Sequence, residues 1–483
     1  MADATLAPSS GGHGIRGHNH NIFVTRLPMI LQGRRAFGGP RASPGSQQGN
    51  NSANDRFVDS DYLIWYRITT RGDRADERRH VRILAISTLL PNRTMPNFGV
   101  FVLERLKSLA KVATITVVAP VTYFPGAGFL SRYRLRRGIP PADRIDGVEI
   151  QYPRFFSIPR YLKPLDPIFL ALRLFPHVLS RAKEIDVIEC HLAFPDGVAG
   201  VILGAAIGKP VSITLRGHEM NVLSEYPGRR RQILWALGRA RWVFAVAEAL
   251  RQKALELGLP PQKVEVIPNG VNRDRFYPID RDEARLQLAR LNGGKQLKGN
   301  VLLSVGHLVE RKGHHILIDS LKVLDERYGI RATLVIVGAA SEEGDYSREL
   351  QARLERSGRS VDVVLAGDVP QTALGLYYNA ADVTCLASSK EGRPNALIES
   401  LACGTPVVAT NVWGNPEIVT DVRVGTLVER NPEAFAQALA EALFHAYDRG
   451  FVRRFSETFS WEESVDRILA RYSEQGSKAH GGE

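Results

Sequence analysis

A chain of 483 residues is longer than the roughly 250–300 at which one hydrophobic core stops growing, so at least two domains are expected. Its three cysteines, Cys190, Cys385 and Cys403, stand far apart in apolar runs, which excludes a disulfide framework or clustered thiolate site, and no run nears the roughly 20 apolar residues of a membrane span. The net charge of +12 divides into +4 over residues 1–80, +12 over 81–280 and −4 over 281–483, so a polyanionic surface, membrane lipid or nucleic acid, is the expected neighbour of the middle third.

Residues 1–79 are rich in Gly, Ser, Asn and Arg without sustained periodicity, and read as a disordered or non-functional extension. Arg26 splits the Ile22–Leu31 stretch that a signal peptide would need uninterrupted, so a cytoplasmic protein is expected. From Val81, short apolar runs alternate with longer amphipathic segments: Val81–Ser87, Ala113–Ala119, Asp186–His191, Pro210–Leu215, Trp242–Ala247 and Val264–Pro268. Such runs predict buried parallel strands with crossover helices. A second series follows at Asn300–Val305, Ala332–Gly338, Val361–Gly367, Asp382–Ala387 and Thr405–Thr410.

The fold class is therefore α/β, with two Rossmann-like doubly wound domains over 80–276 and 277–456, joined near Asn272–Arg281. Ligands of such sheets bind outside the carboxyl ends of the strands, so two facing domains would share one cleft. Phe459-Ser460-Trp461 opens a last helix, assigned to 457–475, before a disordered tail at 476–483.

The loops that follow predicted strands carry the candidate residues. After the first strand come Asn97, Phe98 and Gly99, where glycine would let backbone approach a ligand closely. Thr214-Leu215-Arg216-Gly217-His218-Glu219 falls at the cleft edge, and Asn269-Gly270 is a turn entering the interdomain hinge. Gly306-His307-Leu308-Val309-Glu310-Arg311-Lys312-Gly313 follows the first strand of the second domain, where Lys312 is the main candidate for a phosphate contact. Arg311 either supplies a second charge or points to solvent; His307 either meets phosphate or packs the loop.

The most informative run is Glu391-Gly392-Arg393-Pro394-Asn395-Ala396-Leu397-Ile398-Glu399, continuing to Gly404. Pro394 suits a first helical position and Gly404 a left-handed helix end, which predicts a helix over 394–403 with Leu397, Ile398, Leu401 and Ala402 inward. Its free N–H groups favour an anion, and two carboxylates beside them accept hydrogen bonds. A ligand carrying both hydroxyls and phosphate, such as a nucleotide sugar, fits this pattern.

This run closely resembles the donor-site motif of retaining glycosyltransferases of family 4, and the other loops resemble that family's over most of residues 81–475. The resemblance implies a GT-B fold whose terminal helix crosses back onto the first domain. It implies that Glu391 orients the donor sugar, Glu399 holds the ribose diol, Lys312 grips the diphosphate and His218 lines the sugar. Gly99, Gly306, His307, Arg311, Gly392, Arg393, Pro394, Asn395 and Ala396 complete the donor-site candidates, and Asn97, Phe98 and Arg216 are acceptor or loop candidates. The sequence departs from the family at His307, where relatives usually carry arginine.

Transfer from a nucleoside diphosphate sugar, UDP- or GDP-linked, to a lipid-linked glycan or growing polysaccharide is the expected reaction, with no cofactor and no metal. The basic segments 132–137 and Arg229-Arg230-Arg231 suit an anionic membrane surface. A nucleotide-sugar epimerase or phosphorylase of the same fold is the alternative. A nucleic-acid-binding or scaffold role is disfavoured because aromatic residues do not interleave with the basic clusters.

Overall fold

The computed structural model describes residues 81–125, 136–158, 161–291, 293–294, 296–341, 344–357 and 361–478. The extension over 1–79, residues 132–135 of the first basic segment and residues 479–483 lie outside the described residues.

All eleven expected strands form, in two sheets. The first sheet has eight strands in the order Val264–Val266, Trp242–Ala245, Val211–Leu215, Val187–Cys190, Arg82–Ile86, Thr114–Val118, Val148–Gln151, Ala142–Ile145, parallel except for the last pair. The second has six parallel strands: Asp362–Gly367, Ala332–Val337, Asn300–Val305, Val383–Leu386, Val407–Thr410, Gly425–Val428. Strands such as Val187–Cys190 and Val407–Thr410 are buried along their whole length because helices cover both faces.

Five strands were not expected from sequence: Val121–Tyr123, Ala142–Ile145, Val148–Gln151, Arg154–Phe156 and Gly425–Val428. They are short and partly exposed, so they lack the continuous apolar run of a central strand. The decisive helix also differs at its start. It spans Asn395–Ala402, and Pro394 (φ −75°, ψ 108°) is its N-cap rather than its first residue, because an extended ψ keeps it out of the helix. Gly404 is left-handed as expected, at φ 76°.

In each sheet the chain reverses its direction of build beside the first strand. Arg82–Ile86 lies between Thr114–Val118 and Val187–Cys190, and Asn300–Val305 between Ala332–Val337 and Val383–Leu386. The crevices at such switch points are where ligands of this architecture sit. The loops starting at Ser87, Gly306 and Ala387 leave from those strand ends, so the fold alone gathers them.

The chain crosses between the domains twice. After the first crossing, Asn272 Nδ2 donates to Glu104 Oε2 at 2.9 Å. At the second, Val271 N donates to Phe459 O at 3.2 Å, and helix Trp461–Lys478 then returns to the first domain. That helix buries Val465, Ile468 and Tyr472 among first-domain residues. The Tyr472 hydroxyl lies 2.6 Å from Ser212 Oγ, and its ring 5.0 Å from that of Trp242. The helix runs through Lys478, so residues 476–478, expected in a disordered tail, are helical.

Candidate active site

Glu391 sits on the loop leaving strand Val383–Leu386, and Lys312 ends the turn Glu310–Lys312 that follows Asn300–Val305. Lys312 Nζ donates to Glu391 Oε1 at 2.6 Å, Ser388 Oγ donates to the same oxygen at 2.6 Å, and an Arg311 guanidinium nitrogen stands 3.7 Å away. Burial pushes the Glu391 carboxyl up, but the charges of Lys312 and Arg311 and the two hydrogen bonds outweigh it and hold its pKa below the usual glutamate value. The group is therefore ionised at neutral pH. An ammonium has three donors, so Lys312 keeps capacity for a second acceptor.

Arg311 Nη1 also donates to Lys390 O at 2.8 Å, so its guanidinium turns toward Glu391's loop rather than to solvent alone. Together with Gly306 and the exposed His307, these residues line a cleft enclosing about 1160 Å³ of space open to solvent. Gly392, Pro394, Asn395, Ala396 and Glu399 line the same cleft.

Glu399 accepts a hydrogen bond from the Tyr378 hydroxyl at 2.8 Å. Burial pushes its pKa up to about 7, against the lowering effect of Tyr378 and Arg275. The two glutamates thus differ in charge behaviour: Glu391 stays ionised while Glu399 titrates near neutrality. Arg393 also lines the cleft, but its guanidinium stands 3.6 Å from Glu417 and 5.4 Å over the Phe459 ring, away from the Glu391–Lys312 pair.

The opposite wall comes from the first domain. Arg216 is buried: Nη1 donates to Asn269 Oδ1 and Nη2 meets His191 Nδ1, each at 2.9 Å, and the guanidinium lies 5.3 Å over the Phe101 ring. Its Nε is buried without a partner among the described residues. Burial and nearby Arg105 lower its pKa to about 9, so it is charged at neutral pH. Glu219 accepts from the Arg216 backbone N–H at 2.5 Å and is itself pushed by burial to about 7. Asn269 bridges the walls, donating to Asn395 Oδ1 at 3.1 Å.

Gly392 packs against this wall so closely that a Cβ there would lie 2.5 Å from Arg216 O. That distance explains glycine between Glu391 and Arg393. His218 is exposed, in the one-turn helix His218–Asn221, and is not among the residues lining the cleft. From the same wall Arg216 and Asn269 do line the cleft.

Asn97 reaches across the cleft mouth, where Nδ2 donates to Asp368 Oδ1 at 2.6 Å and Val369 O at 2.9 Å. Gly99 caps helix Val100–Ala110 at φ 68°, and a Cβ would lie 2.4 Å from Leu89 O, so the loop's own backbone requires the glycine; it is not among the residues lining the cleft. Phe98 does not line the cleft either, whereas Phe101 does.

Ser388, Tyr378, Asn269 and Asp368 were not singled out from the sequence as site residues. Ser388 stands three residues before Glu391, a spacing that could have flagged it; Tyr378 and Asp368 arrive from other elements and carry no local signal.

Two family models match the chain: one described as Glycosyl transferases group 1 over residues 289–449, and one as Glycosyltransferase Family 4 over residues 136–275. The chain is 28% identical over 373 residues to Bacillus subtilis TuaC, a glycosyltransferase named for teichuronic acid biosynthesis, covering 75% of this chain and 88% of that one. It is 30% identical over 372 residues to the D-inositol 3-phosphate glycosyltransferase of Acidothermus cellulolyticus, covering 70% and 79% respectively. Among solved structures, Anabaena HepE in complex with UDP and glucose superposes with a TM-score of 0.61 at 20% identity, over 81% of this chain and 98% of that one.

Proposed function

The chain belongs to glycosyltransferase family 4 and has the GT-B fold, and from that premise we propose that it moves a sugar from a UDP- or GDP-linked donor to a hydroxyl of a lipid-linked glycan or growing cell-surface polysaccharide. The transfer proceeds with retention of anomeric configuration, without a metal, at the cytoplasmic face of the plasma membrane.

The observation that carries this reading is the ionised Glu391 held by Lys312 beside the start of helix Asn395–Ala402, on one wall of an interdomain cleft. As the glycosidic bond breaks, negative charge gathers on the leaving diphosphate. Lys312, Arg311 and the backbone N–H groups at that helix start are the donors placed to stabilise it. Glu391 accepts from the sugar hydroxyls and Glu399 from the ribose diol. Arg216 and Asn269 form the facing wall where an acceptor enters, and the exposed His218 follows Arg216 by two residues. Retention follows if the acceptor attacks on the leaving-group side, its proton passing to the departing phosphate.

Purified protein incubated with UDP-, GDP- and ADP-sugars, with and without a lipid-linked acceptor, tests the reading. Acceptor-dependent release of a nucleoside diphosphate is expected. Epimerisation of a donor in the absence of acceptor would contradict it.

A further inference from the structure

Helix Asp166–Ser180 carries a second apolar face beside the one it buries. Leu170, Ala171, Leu174 and Val178 enter the first-domain core, as a surface helix requires. The outward positions Ile168, Leu172, Phe175 and Leu179 recur at spacings of four, three and four and share one face, where polar side chains are the rule. They are 43%, 65%, 39% and 51% exposed.

The patch extends beyond the helix. Tyr161, Leu162 and Leu165 precede it exposed, and Phe156 packs edge-on against Phe169 at 5.2 Å. Contiguous exposed apolar surface of this kind marks an interaction site.

The charges around it identify the occupant. From Gln151 to Lys183 the sequence holds six basic residues and a single acidic one, Asp166, which is buried and accepts from Lys163 Nζ at 3.2 Å. Arg173 lies on the same helix, and Nε donates to Arg154 O at 3.1 Å. Arg229, Arg230 and Arg231 enter from helix Pro227–Arg239, whose Gln232 Nε2 donates to Pro164 O at 2.8 Å. At the far end Glu184 pairs with Arg181 at 3.7 Å. An apolar face with a cationic border complements an anionic bilayer, whose phosphates meet the border while its acyl boundary receives the apolar side chains.

We propose that the outward face of helix Asp166–Ser180, with Tyr161 and Leu162, inserts into the headgroup and acyl boundary of an anionic phospholipid bilayer. The inference rests on the reading of a lipid-linked acceptor and deepens it. A single segment, 216–231, joins the cleft wall at Arg216 to the basic border, so an acceptor's headgroup in the cleft and its lipid in the bilayer are served by adjoining surfaces.

Flotation of the full chain with vesicles of phosphatidylglycerol and phosphatidylcholine, and of phosphatidylcholine alone, tests this. The wild type should bind the anionic vesicles at least tenfold better, and the Leu172→Ser/Phe175→Ser variant should lose at least tenfold of that binding with an unchanged thermal midpoint. Tryptophan emission of Leu172→Trp should shift to the blue on anionic vesicles and be quenched by brominated acyl chains. Equal flotation of the serine variant, or no quenching of Leu172→Trp, would overturn insertion while leaving membrane association standing. If the wild type floats with neither vesicle yet releases nucleoside diphosphate with a water-soluble acceptor, the membrane proposal fails and the transferase reading survives. A dimer that the serine variant dissociates, without flotation, would assign the face to a second copy and overturn the proposal.

Discussion

Lys312 Nζ lies 2.6 Å from Glu391 Oε1, tying the loop after one central strand to the loop after its neighbour. The pair does two things at once. It keeps Glu391 ionised in a buried position, and it fixes the ammonium at the floor of the cleft. Replacing Lys312 by Gln removes a cation from the leaving group and should lower kcat by about 10²–10³, the cost typical of losing one transition-state donor. It should also move the acidic limb of the kcat/KM profile upward, because burial then acts on Glu391 with less opposition. A profile that keeps its acidic limb would show that Lys312 does not set the charge of Glu391.

Glu399 gives a second pH dependence with a defined sign. Burial raises its folded pKa to about 7 from an ordinary 4.5, so between those values the folded state holds a proton that the unfolded chain releases. Its contribution to stability is full below that window and is lost as pH rises through it. An ionised carboxylate offers a ribose diol more and stronger acceptor sites than the protonated acid, so donor affinity should rise as pH climbs from 6 to 8, where the ionised fraction grows from about one tenth to about nine tenths. Glu399→Gln should bind donor weakly and with a flat profile. Calorimetric titrations at several pH values measure both effects. Asp196 and Glu219 are also pushed by burial to about 7, so the difference between wild type and variant isolates Glu399.

Closure of the cleft depends on contacts far from the Glu391–Lys312 pair. Glu417 of the second domain accepts from the Glu248 and Ala249 backbone N–H groups at 2.9 and 3.0 Å, capping a first-domain helix, and Asn97 bridges the cleft mouth to Asp368. Glu417→Ala removes a charge-assisted cap worth about 1–2 kcal/mol, which should favour an open arrangement. A larger radius of gyration in solution scattering and a donor KM raised roughly fivefold to thirtyfold are expected, with unchanged domain folding.

Metal dependence is tested directly. If Lys312, Arg311 and the helix start stabilise the diphosphate as proposed, turnover should be unaffected by a chelator and not raised by added magnesium or manganese. A loss of turnover on chelation, restored by either ion, would contradict the metal-free mechanism.

The parts of this molecule that were legible in the sequence are those encoded locally. Buried parallel strands are uninterrupted apolar runs, and the Glu391–Glu399 run carries its helix, its anion-binding end and its carboxylates in one stretch. One missed element had a signal: Asp146-Gly147, both at positive φ, turns Ala142–Ile145 into Val148–Gln151 as a two-residue hairpin that the dipeptide announces. The close approach of Gly99 to Leu89 O was not legible, because a glycine needed by a neighbouring backbone looks, in sequence, the same as one needed by a ligand. His218 shows the other limit: which side chain of a loop turns inward depends on packing, and here Arg216 is buried and lines the cleft while His218 is exposed. The outward apolar stripe at 168–179 escaped notice because a sequence pattern does not say which of two apolar faces is covered.

The most direct measurement is acceptor-dependent nucleoside diphosphate release by the wild type and by Glu391→Ala, each checked for the same thermal midpoint. The wild type should turn over one nucleotide sugar of the panel, and the folded variant should lose at least about 10²-fold in kcat. Wild-type turnover by the folded Glu391→Ala variant would contradict the role given to this carboxylate.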